Sequence, residues 1–407
     1  MCKAFVEAGV AKLVADLLDS SSNVPGKDVN LVTGAAYALG VLAYHADEGD
    51  KDVMLGYGVL QSLCALMESD ETCEEAGLAM AKVLHRMSSQ QKSYIFENEP
   101  DTVPLLAKLL SHPNKKTASR AAWAIGNLAD GADETHQVVL ISAGVLEALI
   151  DLLPEPPSAQ NAAWALSYLS DGVSMERKET FFGYARLVDR LTSLLVGEDK
   201  GAASQSAHAI SVLADGVGKE YKQQLLDAEA LPGLKNLLGS LETSRNAAGA
   251  VATLADLASV NQKGLIIAQG LIPALGALLD CDNEHETWFA ANALYRIAHG
   301  ATIRQKKSFL CCGVVEKLTS LLVEAKKKDQ VASVCATALC SIDHDGAKTD
   351  LEPAETTGVE SAATAKCSTS GAATSSCSAV DRWLTDDVIL GRIKELLESN
   401  DGIVRQY

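Results

Sequence analysis

Apolar positions recur at helical spacing along most of this 407-residue chain, and they recur in blocks. Each block holds a short amphipathic segment that ends in a Leu-Leu-like pair, such as Val145–Leu153, and an Ala-rich segment that follows after a polar turn. Eight such pairs of segments align. The first segments end at Leu18, Met67, Leu110, Leu153, Leu195, Leu238, Leu279 and Leu322. A period this regular predicts stacked copies of one structural unit.

Each block predicts three helices: a short one such as His136–Ser142, a second such as Val145–Leu153 and a longer third such as Ala118–Ala129. The period of ~42 residues excludes tetratricopeptide and ankyrin arrays, whose repeats are shorter. A single block cannot bury its apolar stripe alone, so neighbouring blocks must stack. The fold class predicted for residues 1–344 is therefore an all-α solenoid of about eight repeats.

The two ends of the chain interrupt this pattern. Residues 345–380 are rich in Ala, Ser and Thr and predict a disordered insert, because they cannot bury enough apolar surface to order themselves. Residues 381–407 predict a partial terminal repeat. Both ends look cut within a repeat, so we expect either a shortened chain or a partner that covers the uncapped termini.

Composition narrows the classes of function. Acidic residues outnumber basic ones 53 to 35, and the net charge of −18 disfavours nucleic acid and favours a basic partner. We expect no membrane insertion, no cofactor, no metal site and no catalytic residues, because no motif for them occurs. The ten cysteines lack metal-site spacing and predict reduced thiols in a cytoplasmic or nuclear protein.

The third helices carry aromatic side chains on the face opposite the core. Ala121, Ala124, Ile125 and Leu128 form one apolar stripe. At about 100° per residue, Trp123, Asn127 and Asp130 point away from it. The next repeat places Trp164, Tyr168 and Asp171 in the same way, and His208 and Asp215 continue the rows.

These repeats resemble the armadillo family, and the Trp-x-x-x-Asn spacing of Trp123 and Asn127 resembles repeats of importin-α. The armadillo resemblance implies a right-handed α-solenoid (superhelix) in which the third helices line a concave groove. The importin-α resemblance implies that indoles grip Lys or Arg stems there, while Asn127 bonds an extended peptide backbone. Only one complete Trp–Asn pair is present, since Tyr168 replaces the second asparagine.

The resulting prediction is a non-enzymatic scaffold or adaptor that binds an extended, basic, Lys/Arg-containing segment of a protein partner. The peptide-binding residues it names are Trp123, Asn127, Asp130, Trp164, Tyr168, Asp171, His208 and Asp215. A nuclear import adaptor for localisation signals is the alternative. A purely structural alternative is also open, in which the indoles pack on a neighbouring helix, Asn127 braces a turn and the aspartates are solvated helix ends.

Overall fold

The protein is described by a computed structural model that covers residues 9–21, 29–184, 186–324 and 330–343. Within those ranges it holds 23 α-helices and no strand. It divides into two compact units, Met1–Leu213 and Ala214–Tyr407. In the described ranges no single helix is long and apolar enough to cross a membrane, and one bent pair, Glu134–Ser142 with Val145–Leu152, passes that test only jointly, by length and composition.

The first unit contains three kinds of helix in regular succession. Its first helices are α3 (Glu48–Gly56), α6 (Ser89–Asn98), α9 (Glu134–Ser142) and α12 (Met175–Phe181). Its second helices are α1 (Val10–Ser21), α4 (Val59–Met67), α7 (Thr102–Leu110), α10 (Val145–Leu152) and α13 (Leu187–Leu195). Its third helices are α2 (Val29–His45), α5 (Cys73–Leu84), α8 (Lys115–Ala129), α11 (Ala159–Asp171) and α14 (Lys200–Ala214), which ends at the boundary.

The second unit repeats the same order. Its first helices are α15 (Lys219–Asp227), α18 (Val260–Ala268) and α21 (Ile303–Cys311). Its second helices are α16 (Ala230–Leu237), α19 (Leu271–Leu278) and α22 (Val314–Glu324). Its third helices are α17 (Leu241–Ala255), α20 (Glu284–Ala298) and α23 (Gln330–Asp343).

Within each unit, third helices of neighbouring repeats pack on one another. In the first unit α2 packs on α5, α5 on α8 and α8 on α11; in the second, α17 packs on α20 and α20 on α23. The predicted stripe of α8 lies inside this packing, since Ala121, Ala124, Ile125 and Leu128 are all fully buried. Small side chains in the stripe let the helix axes approach closely.

The turn between the first and second helices explains why each second helix begins where it does. Gly144 and Gly270 precede α10 and α19 with φ of +79° and +74°. That left-handed conformation is strained for residues with a Cβ, and glycine adopts it freely. Glu229 holds the corresponding place before α16 with φ of +59°.

In the first helices α3, α6, α12, α15 and α18, a buried lysine caps the third helix of the same repeat. Lys51 donates to the carbonyl of His85 and Lys92 to that of Asp130. In the second unit, Nζ of Lys222 lies 2.6 Å from the carbonyl of Asp256. The last carbonyls of a helix have no partner within it and carry partial negative charge, so an ammonium there satisfies both needs.

The predicted all-α solenoid is confirmed in each unit, with three adjusted helix boundaries. Helix α9 begins two residues earlier than predicted, and α10 ends one residue earlier. Helix α8 begins at Lys115, three residues before the predicted start at Ala118, because the Asn114 side chain caps it by accepting from the amide of Lys116 at 2.9 Å. The predicted segments 345–380 and 381–407 lie outside the described residues, and the extent of the solenoid over 1–344 stays a prediction.

Candidate functional site

Three rows of side chains run along the third helices, one turn apart. The Trp row comprises the positions of Trp123 and Trp164, the Asn row lies four residues later, and the Asp row lies seven residues later. In α8 and α11 both indoles are partly exposed, although residues one position away are fully buried. The indoles are therefore neither sealed in the core nor fully open to solvent.

Trp164 is seated on the preceding third helix by a glycine. A Cβ added at Gly126 of α8 would overlap the six-membered ring of Trp164 and lie 3.2 Å from Cα of Ala165. One side of the indole thus packs on α8, as the structural alternative expects. The side chain nevertheless stays partly exposed, so this packing fixes the ring and leaves part of it at the surface.

Two further rings extend from Trp164 along the surface of the first unit. The ring of Tyr168 meets Trp164 edge-on at 4.9 Å between centroids, and His208 meets Tyr168 edge-on at 6.3 Å. Edge-to-face rings at these distances attract each other and hold their orientation. We call these three side chains the aromatic row. It brings together three of the predicted site residues from two successive third helices.

Asn127 is the predicted site residue whose surroundings differ most from expectation. It is only 3% exposed, its Nδ2 donates to the carbonyl of Ala81 at 2.9 Å, and its Oδ1 accepts from Nδ1 of His85 at 3.3 Å. The expectation of an amide open to a peptide backbone is corrected. Because α5 ends at Leu84, the carbonyl of Ala81 is one of the last four of its helix, and Asn127 satisfies it.

The ring of His85 is held between Asn127 and Tyr44. Its ring stacks on Tyr44 at 4.8 Å between centroids. Burial lowers the pKa of His85, and the hydrogen bond that its ring donates to Asn127 acts in the opposite direction. The lowered pKa favours the neutral form of His85, which agrees with a structural role at the junction of α5 and α8.

The acidic residues of the Asp row divide into three cases. Asp130 and Asp171 are exposed, and within the described residues neither takes part in an ion pair. Burial raises the pKa of Tyr168, and the carboxylates of Asp130 and Asp171 raise it further. Both acids therefore act on the same ring. Asp215 belongs to the second unit, and Asp256 is paired with Arg296 there.

The capping group beneath the aromatic row is neutral. At the place that a lysine holds in α3, α6, α12, α15 and α18, helix α9 carries Gln137, whose Nε2 donates to the carbonyls of Ala129 at 2.8 Å and Tyr168 at 3.1 Å. Its buried Oε1 has no partner within the described residues. A neutral cap leaves the end of α11 more negative than an ammonium would, whereas the end of α8 has the ammonium of Lys92. The lysine caps, which sequence reasoning missed, weaken that potential at the other helix ends.

Basic side chains hold the Asn row at two other places. In the first unit Lys82 lies over the ring of Tyr37, with Nζ 4.7 Å from the centroid. In the second unit Arg296 pairs with Asp256 and lies 5.6 Å from the ring centroid of Tyr295. The sequence shows these residues as departures from asparagine, but only the structure shows that each one lies against a group of its own chain.

Known proteins share this architecture. Residues 88–130 match the armadillo/beta-catenin-like repeat family, and that segment runs from the N-cap of α6 to the end of α8. The chain has the armadillo-repeat fold. An alignment with an engineered protein of solved structure covers 98% of this chain and 90% of that protein, with a TM-score of 0.73 at 23% identity. That likeness shows the fold alone.

Other armadillo neighbours are shorter or more distant. A designed armadillo repeat protein in complex with the peptide (KR)4 is 25% identical, with a TM-score of 0.53 over 59% of this chain and 99% of its own. Importin subunit alpha-1b of Oryza sativa subsp. japonica is 28% identical over 102 residues, which are 24% of this chain and 18% of the relative. The match thus spans less than a fifth of that relative's length.

One cysteine of the armadillo scaffold lies near a histidine and an aspartate, but not as a catalytic triad. Nε2 of His112 lies 3.8 Å from Sγ of Cys73 and 3.4 Å from Oδ1 of Asp70. Nδ1 of His112 accepts from the amide of Asn114 at 3.1 Å, so the neutral ring carries its proton on Nε2. That nitrogen has no lone pair with which to accept the thiol proton. No cluster of metal-ligating side chains occurs in the described ranges.

Proposed function

We propose that the first unit binds an extended, Lys/Arg-containing segment of a protein partner along Trp123, the aromatic row and the two exposed acids. One observation carries the proposal: Asp130 and Asp171 are exposed, lie outside any described ion pair and stand at the ends of the two helices that carry Trp123 and the partly exposed Tyr168. A cation beside that ring meets both an aromatic face and two negative charges. Such contacts contribute about 0.5–2 kcal/mol each.

The neutral cap of α11 and the ligand of a designed neighbour support the same proposal. Gln137 leaves the end of α11 without the ammonium found in other repeats. A designed armadillo repeat protein is known in complex with the basic peptide (KR)4. Since Asn127 is bonded within the chain, the peptide backbone is held by other groups, and charge and ring contacts carry the affinity.

Titration with (KR)4, followed by tryptophan fluorescence, tests the proposal. The double variant Asp130→Asn, Asp171→Asn removes two exposed charges without touching the core, and we expect it to weaken binding by about two- to thirtyfold. Asp189→Asn on α13 removes the same kind of exposed carboxylate from a second helix and serves as the control. Equal affinities in all three proteins, or no binding to the wild type, would contradict the proposal.

A nuclear import adaptor is the second candidate, and the local similarity to an importin alpha subunit favours it. An adaptor reads sequence as well as charge. It should therefore prefer a lysine-rich localisation peptide to a scrambled peptide of the same composition, in a competition assay at fixed salt. Equal affinity for the two peptides would leave the general basic-segment scaffold. The expected cytoplasmic or nuclear location stays a prediction.

A further inference from the structure

A lysine of the first unit lies in the position that a bound cation would take two Trp-row positions before Trp123. Lys82 stands in the Asn row of α5, and its Nζ lies over the ring of Tyr37, which holds the Trp-row position of α2. The separation of 4.7 Å from the ring centroid is within the range of a cation–π contact. Tyr37 is 53% exposed, so its ring is a surface platform.

The stem of Lys82 is held in place by a close approach of the two helices. A Cβ added at Gly40 of α2 would lie 3.2 Å from Cδ of Lys82 and 3.0 Å from Cα of Ala79. The absence of a side chain at Gly40 therefore makes room for the lysine stem, as the absence at Gly126 makes room for Trp164. The ammonium takes part in no ion pair within the described residues, so Tyr37 is its partner there.

The second unit contains a related contact between an Asn-row cation and the preceding third helix, but the partner belongs to the Asp row. Arg296 stands in the Asn row of α20 and pairs with Asp256, the Asp-row residue of α17. In both units a basic residue of the Asn row lies against an aromatic or acidic side chain from the third helix of the preceding repeat. The two cases show that this register lets a cation of one repeat reach the aromatic or acidic group of the repeat before it.

We infer that Lys82 is a specificity-determining residue: it occupies the Tyr37 platform and so confines a basic ligand to the stretch from Trp123 to His208. This inference rests on the proposed function. Without the ammonium, Tyr37 would offer its ring to a Lys or Arg of the ligand. The confinement concerns ligand length, which distinguishes it from a general effect on affinity.

Peptides of two lengths test the inference. Helix axes lie about 8–10 Å apart, so Trp123 to His208 spans about 16–20 Å and Tyr37 to His208 about 32–40 Å. An extended (KR)4 peptide reaches about 26 Å and (KR)7 about 46 Å. In wild type we expect nearly equal affinities. In Lys82→Met, which keeps the stem and removes the charge, (KR)7 should gain about three- to thirtyfold and (KR)4 less than twofold.

A second variant separates the ring contact from the loss of one positive charge. The gain of (KR)7 should disappear in the double variant Lys82→Met, Tyr37→Leu, which has the same net charge as Lys82→Met. A gain that persists without the Tyr37 ring, or that both peptides share, overturns the inference, as does no gain. If (KR)4 binds wild type, the proposed function stands in each of these cases; if neither peptide binds wild type, both fail.

Discussion

The third helices of the two units share one register and present different groups at it. In the first unit the exposed acids Asp130 and Asp171 lie beside Tyr168 without an ion-pair partner in the described ranges. In the second unit the corresponding acid, Asp256, is only 23% exposed at its side chain and is paired with Arg296. A surface with its charges already paired within the chain attracts a charged ligand less than one with unpaired charges.

This difference teaches that the repeat and the individual residue decide different things. The repeat fixes where a side chain points, since Trp-row positions are exposed or partly exposed in both units. The residue at the Asn row then decides whether the neighbouring aromatic and acidic side chains are available to a ligand. Asparagine at 127 braces the neighbouring helix, tyrosine at 168 extends an aromatic surface, and arginine at 296 neutralises an acid.

The largest expected effect concerns the glycine that seats Trp164. Gly126→Val should lower the free energy of unfolding by about 2–3 kcal/mol, because the new side chain overlaps the indole in a closely packed interface. It should also weaken (KR)4 binding, since the aromatic row begins at that indole. Urea unfolding measures the first effect and fluorescence titration the second.

Gly34→Val in α2 is the matched control for that substitution. A Cβ at Gly34 meets nothing within 4 Å, and the position is exposed. Its unfolding free energy should stay within about 0.5 kcal/mol of wild type. If both valine variants unfold at the same urea concentration, Trp164 is not seated on Gly126 and the first unit's surface owes nothing to that contact.

A smaller effect concerns the lysine caps, which the first unit lacks beneath Tyr168. Lys263 is 2% exposed and donates to the carbonyl of Arg296 at 3.2 Å. Burial lowers its pKa to about 8, with Lys222, Lys306 and Lys219 acting in the same direction and Asp256 against it. Between pH 8 and about 10.5 the unfolded state binds more protons at this lysine than the folded state does, so stability contributed by the group rises with pH.

Lys263→Met should remove that rise. Relative to the variant, wild type should gain up to about 2 kcal/mol of unfolding free energy between pH 7.5 and pH 10. Lys235→Met is the control, since Lys235 also donates to a carbonyl, that of Gln269 at 2.8 Å, but lies exposed. A wild-type curve that runs parallel to the Lys263→Met curve over this pH range would refute the buried, perturbed ammonium.

Much of the fold could be predicted from the sequence, because it depends on the local spacing of apolar residues. Apolar residues at helical period and the eight Leu-Leu-like pairs predict the repeats, and the buried stripe of α8 agrees residue by residue. The lysine caps also had a signal. A lysine or glutamine recurs early in each first helix, at Lys51, Lys92, Gln137, Lys178, Lys222, Lys263 and Lys306. This recurrence does not by itself predict buried caps, because lysine is rarely buried.

The site was harder to predict from the sequence, because its side chains make their contacts with residues about one repeat away along the chain. Nothing near Asn127 indicates that its amide bonds Ala81 and His85, some 42 to 46 residues earlier. Helical geometry gave the direction in which Asn127 points, but not what it meets. The same holds for Lys82 over Tyr37 and for Arg296 against Asp256, which only the stacking of repeats brings together.

The smallest effect compares the paired and unpaired acids directly. Asp256→Asn should lower the free energy of unfolding by about 1–2 kcal/mol, because it leaves the partly buried guanidinium of Arg296 without its carboxylate. Asp130→Asn should change it by less than about 0.5 kcal/mol, since the exposed Asp130 has no such partner in the described ranges. Urea unfolding of both variants beside wild type measures the difference. Equal losses would mean that Asp130 is also engaged within the chain, and the first unit's acids would then be no more available to a basic ligand than those of the second.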